Sequence, residues 1–351
     1  MNISGILMNR KYWQQACGDT ERNYAAVCFK WGVVLNGPGE LGPLPDSYDK
    51  YLAKGVGKKK LTDINRFAYE MKEGDIVVLR LGTKDVLGIG VIKGNYVWHD
   101  SFGDIDGWDL QQIRRVQWLW TNIDAPKKFE TYALKQGDTT QQLTSPQVLD
   151  WVDGLELDFD TPTNLPDIPT SAPERLNINQ ISEALFDQGV SSTYIDNLSK
   201  EIDELIRIAK WYQKYTSPSE HETVTYLAVP LLRALGWTPQ KMAIEWNKVD
   251  IALFNQLPRQ NENLNTVVEA KKKGNSCLMA FSQAESYASD KPNCNRLIVT
   301  DGLRYGVYIK SQSIFKLHAY MNLTRMVADY PVYECMGVVD ALIAMTPEWQ
   351  P

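Results

Sequence analysis

The second half of the chain alternates apolar runs with amphipathic segments, a pattern typical of an α/β domain. Apolar residues at helical spacing in SEHETVTYLAVPLLRALGW, with Gly236 as a stop, predict a helix. Shorter apolar runs then predict a strand in NKVDIALF, a strand in TVVEAKK, a helix in CLMAFSQAESYA and strands in RLIVTDG and YGVYIK. The closing stretch HAYMNLTRMVADYPVYECMGVVDALIAM is expected to complete a mixed sheet and its covering helix.

The remainder of the chain divides into three parts. Residues 1–122 contain EGDIVVLRLGTKDVLGIGVIKGNYVW and GWDLQQIRRVQWLW, which predict strands joined by glycine-containing turns in a small, partly closed, mostly-β barrel. Residues 123–175, rich in Pro, Thr and Asp, predict an acidic, extended linker. Residues 176–218 predict a pair of helices that form a spacer, either packed on the core or forming a dimer.

The net charge of −6 is concentrated in the predicted linker. Lys and Arg minus Asp and Glu gives +2 for residues 1–122, −6 for residues 123–175 and −2 for residues 176–351. The acidity of the whole chain therefore does not exclude a DNA-binding function for the two flanking parts.

Two carboxylates and a lysine mark the centre of the α/β part. The two-residue period of a strand puts Glu269 and Lys271 on one face, and Asp250 lies on the neighbouring predicted strand. A lone carboxylate among buried strands is costly unless it is paired or bound to a metal. Phosphodiester hydrolysis needs oxygen ligands for Mg²⁺ and a cation beside the attacking water.

An ExK pattern alone carries little information, because roughly one arises by chance in a chain of this length. Glu70 and Lys72 form a second ExK at the end of the helical stretch INRFAYEMK, where no second acid lies on an adjacent strand. We interpret these two residues as solvated charges at a helix end.

The order of the elements, together with VDIALF, VVEAKK and QAESYA, resembles the PD-(D/E)xK, restriction-endonuclease-like superfamily. It is most similar to the nuclease domain at the N-terminus of type I restriction R subunits, and the resemblance covers residues 219–351. It implies that Asp250 and Glu269 bind Mg²⁺, with Mn²⁺ as a substitute, and that Lys271 polarises water or stabilises the pentavalent phosphorane. The Pro of the PD signature is Val249 in this chain.

The same resemblance implies three accessory residues. Gln283 and Tyr287 lie one helical turn apart and match the QxxxY motif that positions the phosphate and the lysine. Glu220 matches the first-helix glutamate near the metal and is a third expected metal ligand, with Glu222 as a close rival.

The first 122 residues are similar, by pattern, to the PUA-like group that includes the EVE and YTH domains. In that group a cleft lined by aromatic residues receives a base taken out of a helix or strand. The resemblance implies that some aromatic residues of this part form such a cleft, where stacking contributes about 1–3 kcal/mol per base. The alternative for each tryptophan is the core of a small barrel. The candidates next to Gly or polar residues are Trp31, Trp98, Trp108, Tyr48 and Tyr51.

Two basic clusters are candidates for phosphate contacts. AKGVGKKK places Lys58, Lys59 and Lys60 in a predicted glycine-bearing loop, and Arg114 with Arg115 is expected just before a strand. Beside a nuclease, such a loop could hold a DNA backbone, and the alternative is a solvated loop.

Composition excludes several other classes. The five cysteines show no CxxC and the three histidines lie in separate regions, which argues against a disulfide framework and zinc chemistry and predicts a cytoplasmic protein. No GK[ST] follows the glycine-rich pieces, which argues against an ATPase, and no apolar run has the length of a membrane span.

These features together predict a Mg²⁺-dependent DNA endonuclease of α/β restriction-endonuclease-like fold with an N-terminal PUA-like barrel domain. The expected partner is double-stranded DNA, with a modified base as the target, and a homodimer is an open alternative to a monomer. The expected role is modification-dependent restriction in defence against foreign DNA. Two alternatives stay open: an N-terminal sensor of a nucleotide signal, and a DNA-binding protein that does not cleave.

Overall fold

The computed structural model describes residues 10–19, 21–160, 164–170 and 172–349. The chain divides into two compact units, Met1–Ala172 and Pro173–Pro351. The N-terminal unit is therefore about fifty residues longer than the barrel expected from the sequence, which ended at residue 122.

In its described residues, the N-terminal unit combines seven strands with four α-helices. Its strands are β1 (Tyr12–Ala16), β2 (Val33–Asn36), β3 (Ile76–Leu81), β4 (Asp85–Trp98), β5 (Gln112–Thr121), β6 (Lys127–Lys128) and β7 (Thr140–Gln142). Its helices are α1 (Ala25–Trp31), α2 (Tyr48–Ala53), α3 (Lys58–Asn65) and α4 (Pro146–Asp153), with a π-helical turn at Arg66–Glu70 and a 3₁₀ turn at Asp100–Phe102.

The seven strands form one mixed sheet that curls into a half-barrel. The order is β2-β5-β4-β3-β1-β7, with β6 paired to β4, and β1 and β3 are parallel. The predicted strands in EGDIVVLRL, in the glycine-rich run after it and in QQIRRVQWLW are confirmed as β3, β4 and β5.

The region expected to be an extended linker belongs to the fold of the N-terminal unit. Strand β7 pairs with β1, and the helix α4 buries Val148 and Val152 against Ile76 and Val78 of β3. These two valines lie four residues apart and therefore share one helix face. The acidic and Pro-rich composition of residues 123–175 obscured this short amphipathic segment in the sequence.

The C-terminal unit contains a second mixed sheet with helices. Its helices are α5 (Ile178–Asp187), α6 (Ser192–Tyr215), α7 (Glu220–Thr223), α8 (Val229–Ala234), α9 (Phe281–Ala288) and α10 (Val338–Ala344). Its strands are β8 (Met242–Trp246), β9 (Val249–Phe254), β10 (Leu264–Ala270), β11 (Arg296–Thr300), β12 (Arg304–Ser311), β13 (Ile314–Asn322), β14 (Asp329–Tyr330) and β15 (Cys335–Met336). A π-helical turn at Val224–Ala228 joins α7 to α8.

The sheet order is β14-β15-β13-β12-β11-β10-β9-β8, and β10 runs parallel to β11 because α9 carries the chain back between them. Each central strand is apolar on both faces. Val268 and Ile298 pack in a cluster with α5, α6, α8 and α10, whereas Val267 and Leu297 pack in a cluster with α9. This alternation explains why these strands are continuous apolar runs in the sequence.

The helices α5 and α6 belong to the core of the C-terminal unit rather than forming a separate spacer. Ile181, Leu185, Ile202 and Leu205 are buried in the same cluster as the central strands. The spacing of these residues is the helical pattern visible in the sequence, so core packing is confirmed for this segment. Within the described parts of the chain, no helix has both the length and the apolarity that crossing a membrane requires.

Candidate active site

Two neighbouring strands bring Asp250 and Glu269 together. Strands β9 and β10 are antiparallel, and Val268 lies opposite Ile251. Glu269 comes directly after Val268 and Asp250 directly before Ile251, so the two acids occupy the next positions of this strand pair. By the alternation of side chains along a strand, both acids lie on the sheet face that packs against α9. Asp250 is fixed there because its Oδ2 accepts a hydrogen bond of 2.7 Å from the backbone N–H of Ala270.

Lys271 connects the acids to helix α9. Its Nζ lies 3.2 Å from Oε1 of Glu269 and donates a hydrogen bond of 2.9 Å to Oε1 of Gln283. The Gln283 amide in turn donates to the hydroxyl of Tyr287 at 3.1 Å. The backbone N–H of Lys271 donates to Thr300 on β11, so the residue continues the sheet beyond the last residue of β10. Glu269, Lys271, Gln283 and Tyr287, four of the six residues selected from the sequence, therefore form one connected group, and Asp250 lies beside it.

The electrostatics of the group favour a bound cation. Burial and the nearby charge of Asp250 raise the pKa of Glu269 to about 7, although Lys271 opposes this rise. Burial also raises the pKa of Asp250, opposed by the Ala270 hydrogen bond and by Lys271. Glu269 is 1% exposed, and its Oε2 has no hydrogen-bond partner among the described residues. A buried, unpaired carboxylate oxygen beside a second carboxylate is suited to a hard cation with oxygen ligands.

The first helix distinguishes Glu220 from its rival Glu222. Glu222 takes part in a capping box, in which its Oε2 accepts from the backbone N–H of Ser219 at 2.7 Å and its own N–H donates to Ser219 Oγ at 3.2 Å. These bonds lower the pKa of Glu222. The charge of Glu220, which is exposed, instead reaches Glu269 and contributes to the raised pKa there. Glu220 is therefore the better match to the first-helix glutamate expected from the sequence.

The loop after β10 is held by residues that the sequence analysis did not select. Thr223 of α7 accepts a hydrogen bond of 3.2 Å from the backbone N–H of Lys273, and Asp301 accepts one of 3.0 Å from Gly274. Asp301 is fully buried and forms an ion pair with Arg304 at 2.9 Å. Its position directly after the buried run RLIVT was the available signal, since polar residues at strand ends meet at one edge of a sheet.

An exposed contact between His221 and Glu245 lies close enough to influence Asp250. His221 Nδ1 is 3.0 Å from Oε1 of Glu245, and the charges of both residues act on the pKa of Asp250 in opposite directions. Glu245 adopts a positive φ of 52° at the edge strand β8. Nothing in the sequence indicates this pair, because its two residues are distant in sequence and neither lies in a motif.

The N-terminal unit contains a second candidate site, a cavity of about 360 Å³. This volume lies within the range of about 300–1,000 Å³ that is common for ligand pockets. Its lining residues are Tyr24, Asn36, Gly37, Pro38, Glu40, Lys60, Gly107, Trp108, Asp109, Leu110 and Thr139.

Among the predicted aromatic candidates, Trp108 lines this cavity. Trp98 ends β4 with its indole N–H bonded to the carbonyl of Gly39 at 2.7 Å, and Trp31 lies under the ammonium of Lys30 at 5.1 Å. Tyr48 and Tyr51 pack in the cluster of α2 and α3. The structure therefore does not bring these five residues together into one aromatic cage.

The predicted basic clusters need correction. Lys58, Lys59 and Lys60 begin helix α3 instead of lying in a loop. Lys58 and Lys59 are exposed, and the ammonium of Lys59 lies 3.5 Å from Oδ1 of Asp138. The ammonium of Lys60 is bonded within the protein. Arg114 lies within β5, is 3% exposed and donates to the carbonyls of Phe67, Ala68 and Gly94, so it stabilises the fold and is not placed to contact a phosphate.

Arg115 also lies within β5 rather than before it. Its guanidinium donates to the carbonyl of Gly32 at 3.4 Å and to the carbonyl of Pro166. Alternation along the strand leaves Arg115 half-buried next to the fully packed Arg114. Among the five predicted phosphate contacts, Lys58 and Lys59 have the exposure that such a role requires.

Comparison with known proteins concerns the N-terminal unit. Residues 13–144 are similar to a domain of unknown function, DUF8426. The match begins in β1 and ends after β7, and it contains every residue that lines the cavity. It supports the finding that the N-terminal fold continues beyond residue 122. No curated protein matches the chain.

Proposed function

We propose that the protein is a Mg²⁺-dependent DNA endonuclease whose active site lies in the C-terminal unit. The observation that carries the proposal is the buried Oε2 of Glu269, which has no hydrogen-bond partner among the described residues and lies near the charge of Asp250. The other oxygen of the same carboxylate, Oε1, lies 3.2 Å from Nζ of Lys271. Buried carboxylates with raised pKa values beside a lysine are characteristic of functional sites. The order of elements and the matching residues resemble the PD-(D/E)xK superfamily.

The oxygen donors fit a divalent cation of the Mg²⁺ class. Asp250 and Glu269 would hold it, with Glu220 as the additional carboxylate of the first helix. When bound, the cation would stabilise negative charge on the phosphate and lower the pKa of a bound water. Mn²⁺, which also accepts carboxylate ligands, is the expected substitute.

Two residues of helix α9, Gln283 and Tyr287, orient the ammonium of Lys271. Gln283 holds the ammonium of Lys271 at 2.9 Å, and Tyr287 holds Gln283. Lys271 would then donate a hydrogen bond to a phosphate oxygen as charge develops on it, while water attacks phosphorus and the phosphodiester P–O bond breaks. A non-cleaving DNA-binding protein would not need this oriented lysine, so the set favours cleavage.

The N-terminal unit would supply target recognition. Its cavity, with Trp108 in the wall, has a size suited to one base taken out of the duplex, and recognition of a modified base would make the protein a modification-dependent restriction or anti-phage enzyme. The same cavity favours one alternative, a sensor of a free nucleotide that activates the nuclease.

Digestion of plasmids tests the proposal. We expect the full-length protein with Mg²⁺ to cleave at least one plasmid among unmodified, methylated, hydroxymethylated and glucosylated forms. Asp250→Asn should abolish cleavage of the same plasmid, because it removes a carboxylate and keeps the hydrogen-bond acceptor for Ala270. Equal cleavage of all four forms would refute modification reading, and cleavage only after addition of a nucleotide would favour the sensor.

A further inference from the structure

One wall of the N-terminal cavity is a rigid polar network. Lys60 donates to Asn36 Oδ1 at 2.9 Å, to Asp63 Oδ2 at 2.8 Å and to Thr139 Oγ1 at 2.9 Å. An ammonium has three N–H groups, so these three acceptors satisfy Lys60. Asn36 is fully buried and donates to Thr140 Oγ1 at 3.0 Å. This wall is therefore preformed, and Lys60 is not a donor to a ligand.

The backbone beside this wall approaches the opposite side closely. A Cβ at Gly37 would lie 2.3 Å from the carbonyl oxygen of Asp109, so only glycine fits at this position. The segment that carries Gly37 and Glu40 is thereby fixed against the segment that carries Trp108 and Asp109, and all four residues line the cavity. The two segments therefore form adjoining walls of the cavity.

An aromatic ring is held in place at the cavity. The guanidinium of Arg22 lies over the Trp108 ring, 4.4 Å from its centroid, and Tyr24 meets the ring at an angle of 70° with the centroids 6.2 Å apart. Arg22 is 4% exposed and donates to the carbonyl of Asp106. A ring fixed in this way is suited to stacking against a planar ligand.

Glu40 provides an unpaired acceptor. Its Oε1 accepts from Lys54 Nζ at 2.7 Å, whereas its buried Oε2 has no hydrogen-bond partner among the described residues. A buried acceptor without a donor is unfavourable, so a ligand that brings an N–H group to Oε2 would be favoured. Carboxylates accept such bonds from the exocyclic amine of cytosine.

We propose that the cavity binds a nucleobase that carries an exocyclic amino group, stacked on Trp108 and donating to Glu40. The assignment rests on the proposed recognition role of the N-terminal unit and makes Glu40 its specificity-determining residue. The carboxylates of Glu40 and Asp109 disfavour a phosphate inside the cavity, so the base enters and the phosphate stays outside. The base can come from a flipped DNA nucleotide or from a free nucleotide.

Equilibrium binding by the full-length protein in excess EDTA tests this assignment. The free ligands are dAMP, dCMP and dGMP and their analogues with a dimethylamino group in place of the amine. The second set consists of duplexes that carry the same bases or analogues opposite a mismatch. Tight binding of the free ligands identifies a nucleotide site, and tight binding of the duplexes alone identifies a flipped base.

Glu40→Gln is the decisive variant because it keeps the shape of the side chain. Lys54 would orient the amide oxygen toward itself, which leaves an NH₂ donor where Oε2 was. We expect about tenfold weaker binding of the amino bases and little change for the dimethylamino analogues. Trp108→Ala should weaken binding of the amino bases and of the dimethylamino analogues by about tenfold. Trp31 does not line the cavity, so Trp31→Ala should bind like the wild type.

Binding by Glu40→Gln at wild-type affinity, with an unchanged melting temperature, would overturn the assignment. So would the absence of binding of every ligand to the wild type. Because EDTA prevents cleavage, a protein without nuclease activity can still pass this test. If the wild type cleaves DNA and Glu40→Gln binds the amino bases as tightly as the wild type does, the cavity assignment alone is refuted.

Discussion

Glu269→Gln should stabilise the metal-free protein at pH values above about 7. Burial and Asp250 raise the pKa of Glu269 to about 7, so the ionised form is disfavoured in the folded chain relative to the unfolded chain. Glutamine has nearly the same shape and carries no charge. The substitution therefore removes the cost of the buried charge and also removes the proposed metal ligand.

The pKa of Glu269 fixes the size of this effect. A rise from 4.5 to about 7 corresponds to roughly 3 kcal/mol of unfolding free energy, at about 1.4 kcal/mol per pH unit. The cost is absent below pH 4.5, where the carboxyl is protonated in both states, grows as pH rises toward 7, and is complete above that. The variant also loses an ion pair with Lys271, so we expect a net gain of about 1–3 kcal/mol at about pH 8.

Urea unfolding in EDTA at about pH 5 and about pH 8 measures this gain. The control is Glu262→Gln, which changes an exposed glutamate of the same unit and should alter stability little at either pH. Addition of Mg²⁺ at the higher pH should stabilise the wild type but not Glu269→Gln. A variant that is no more stable than the wild type at about pH 8, or one that gains equally at both pH values, would refute the reasoning.

Two further predictions concern the first helix and the lysines. Glu220→Gln should slow plasmid cleavage by at least about tenfold, whereas Glu222→Gln should leave both the rate and the stability near wild type, because a glutamine oxygen still accepts the capping bond from Ser219; equal cleavage rates in the two variants would contradict the assignment. Replacing Lys58 and Lys59 together by Ala should reduce the slope of log K against log salt for DNA binding, with base preference kept; an unchanged slope would place the phosphate contacts elsewhere.

The sequence predicted the central strands β9, β10, β11 and β12 because they are largely buried on both faces, whereas the half-exposed edge strand β8 was not predicted. Each of these strands is a short apolar run, and each covering helix repeats its apolar residues every three or four positions, so both types are visible without a structure. The acids were visible for the same reason, since Asp250 and Glu269 interrupt apolar runs. The choice between Glu220 and Glu222 was not visible in the sequence, because it depends on the capping bonds of Ser219.

The N-terminal unit was harder to predict because its key contacts are distant in sequence. Lys60 bonds to Thr139, and Arg114 bonds to Phe67, so the roles of these two cations depend on the folded sheet. A cluster of lysines after glycine favours a loop by composition, yet the residues begin a helix. The local sequence likewise does not indicate that Oε2 of Glu40 is buried without a hydrogen-bond partner among the described residues.

Cleavage of plasmid DNA by Lys271→Ala tests the central claim most directly. Lys72 belongs to the other ExK pattern and is exposed, so Lys72→Ala is the matched control. We predict that Lys271→Ala with Mg²⁺ loses cleavage while its melting temperature and its DNA affinity in EDTA stay near wild type, and that Lys72→Ala cleaves normally. Cleavage by Lys271→Ala at the wild-type rate, or cleavage by the wild type in excess chelator, would contradict the account.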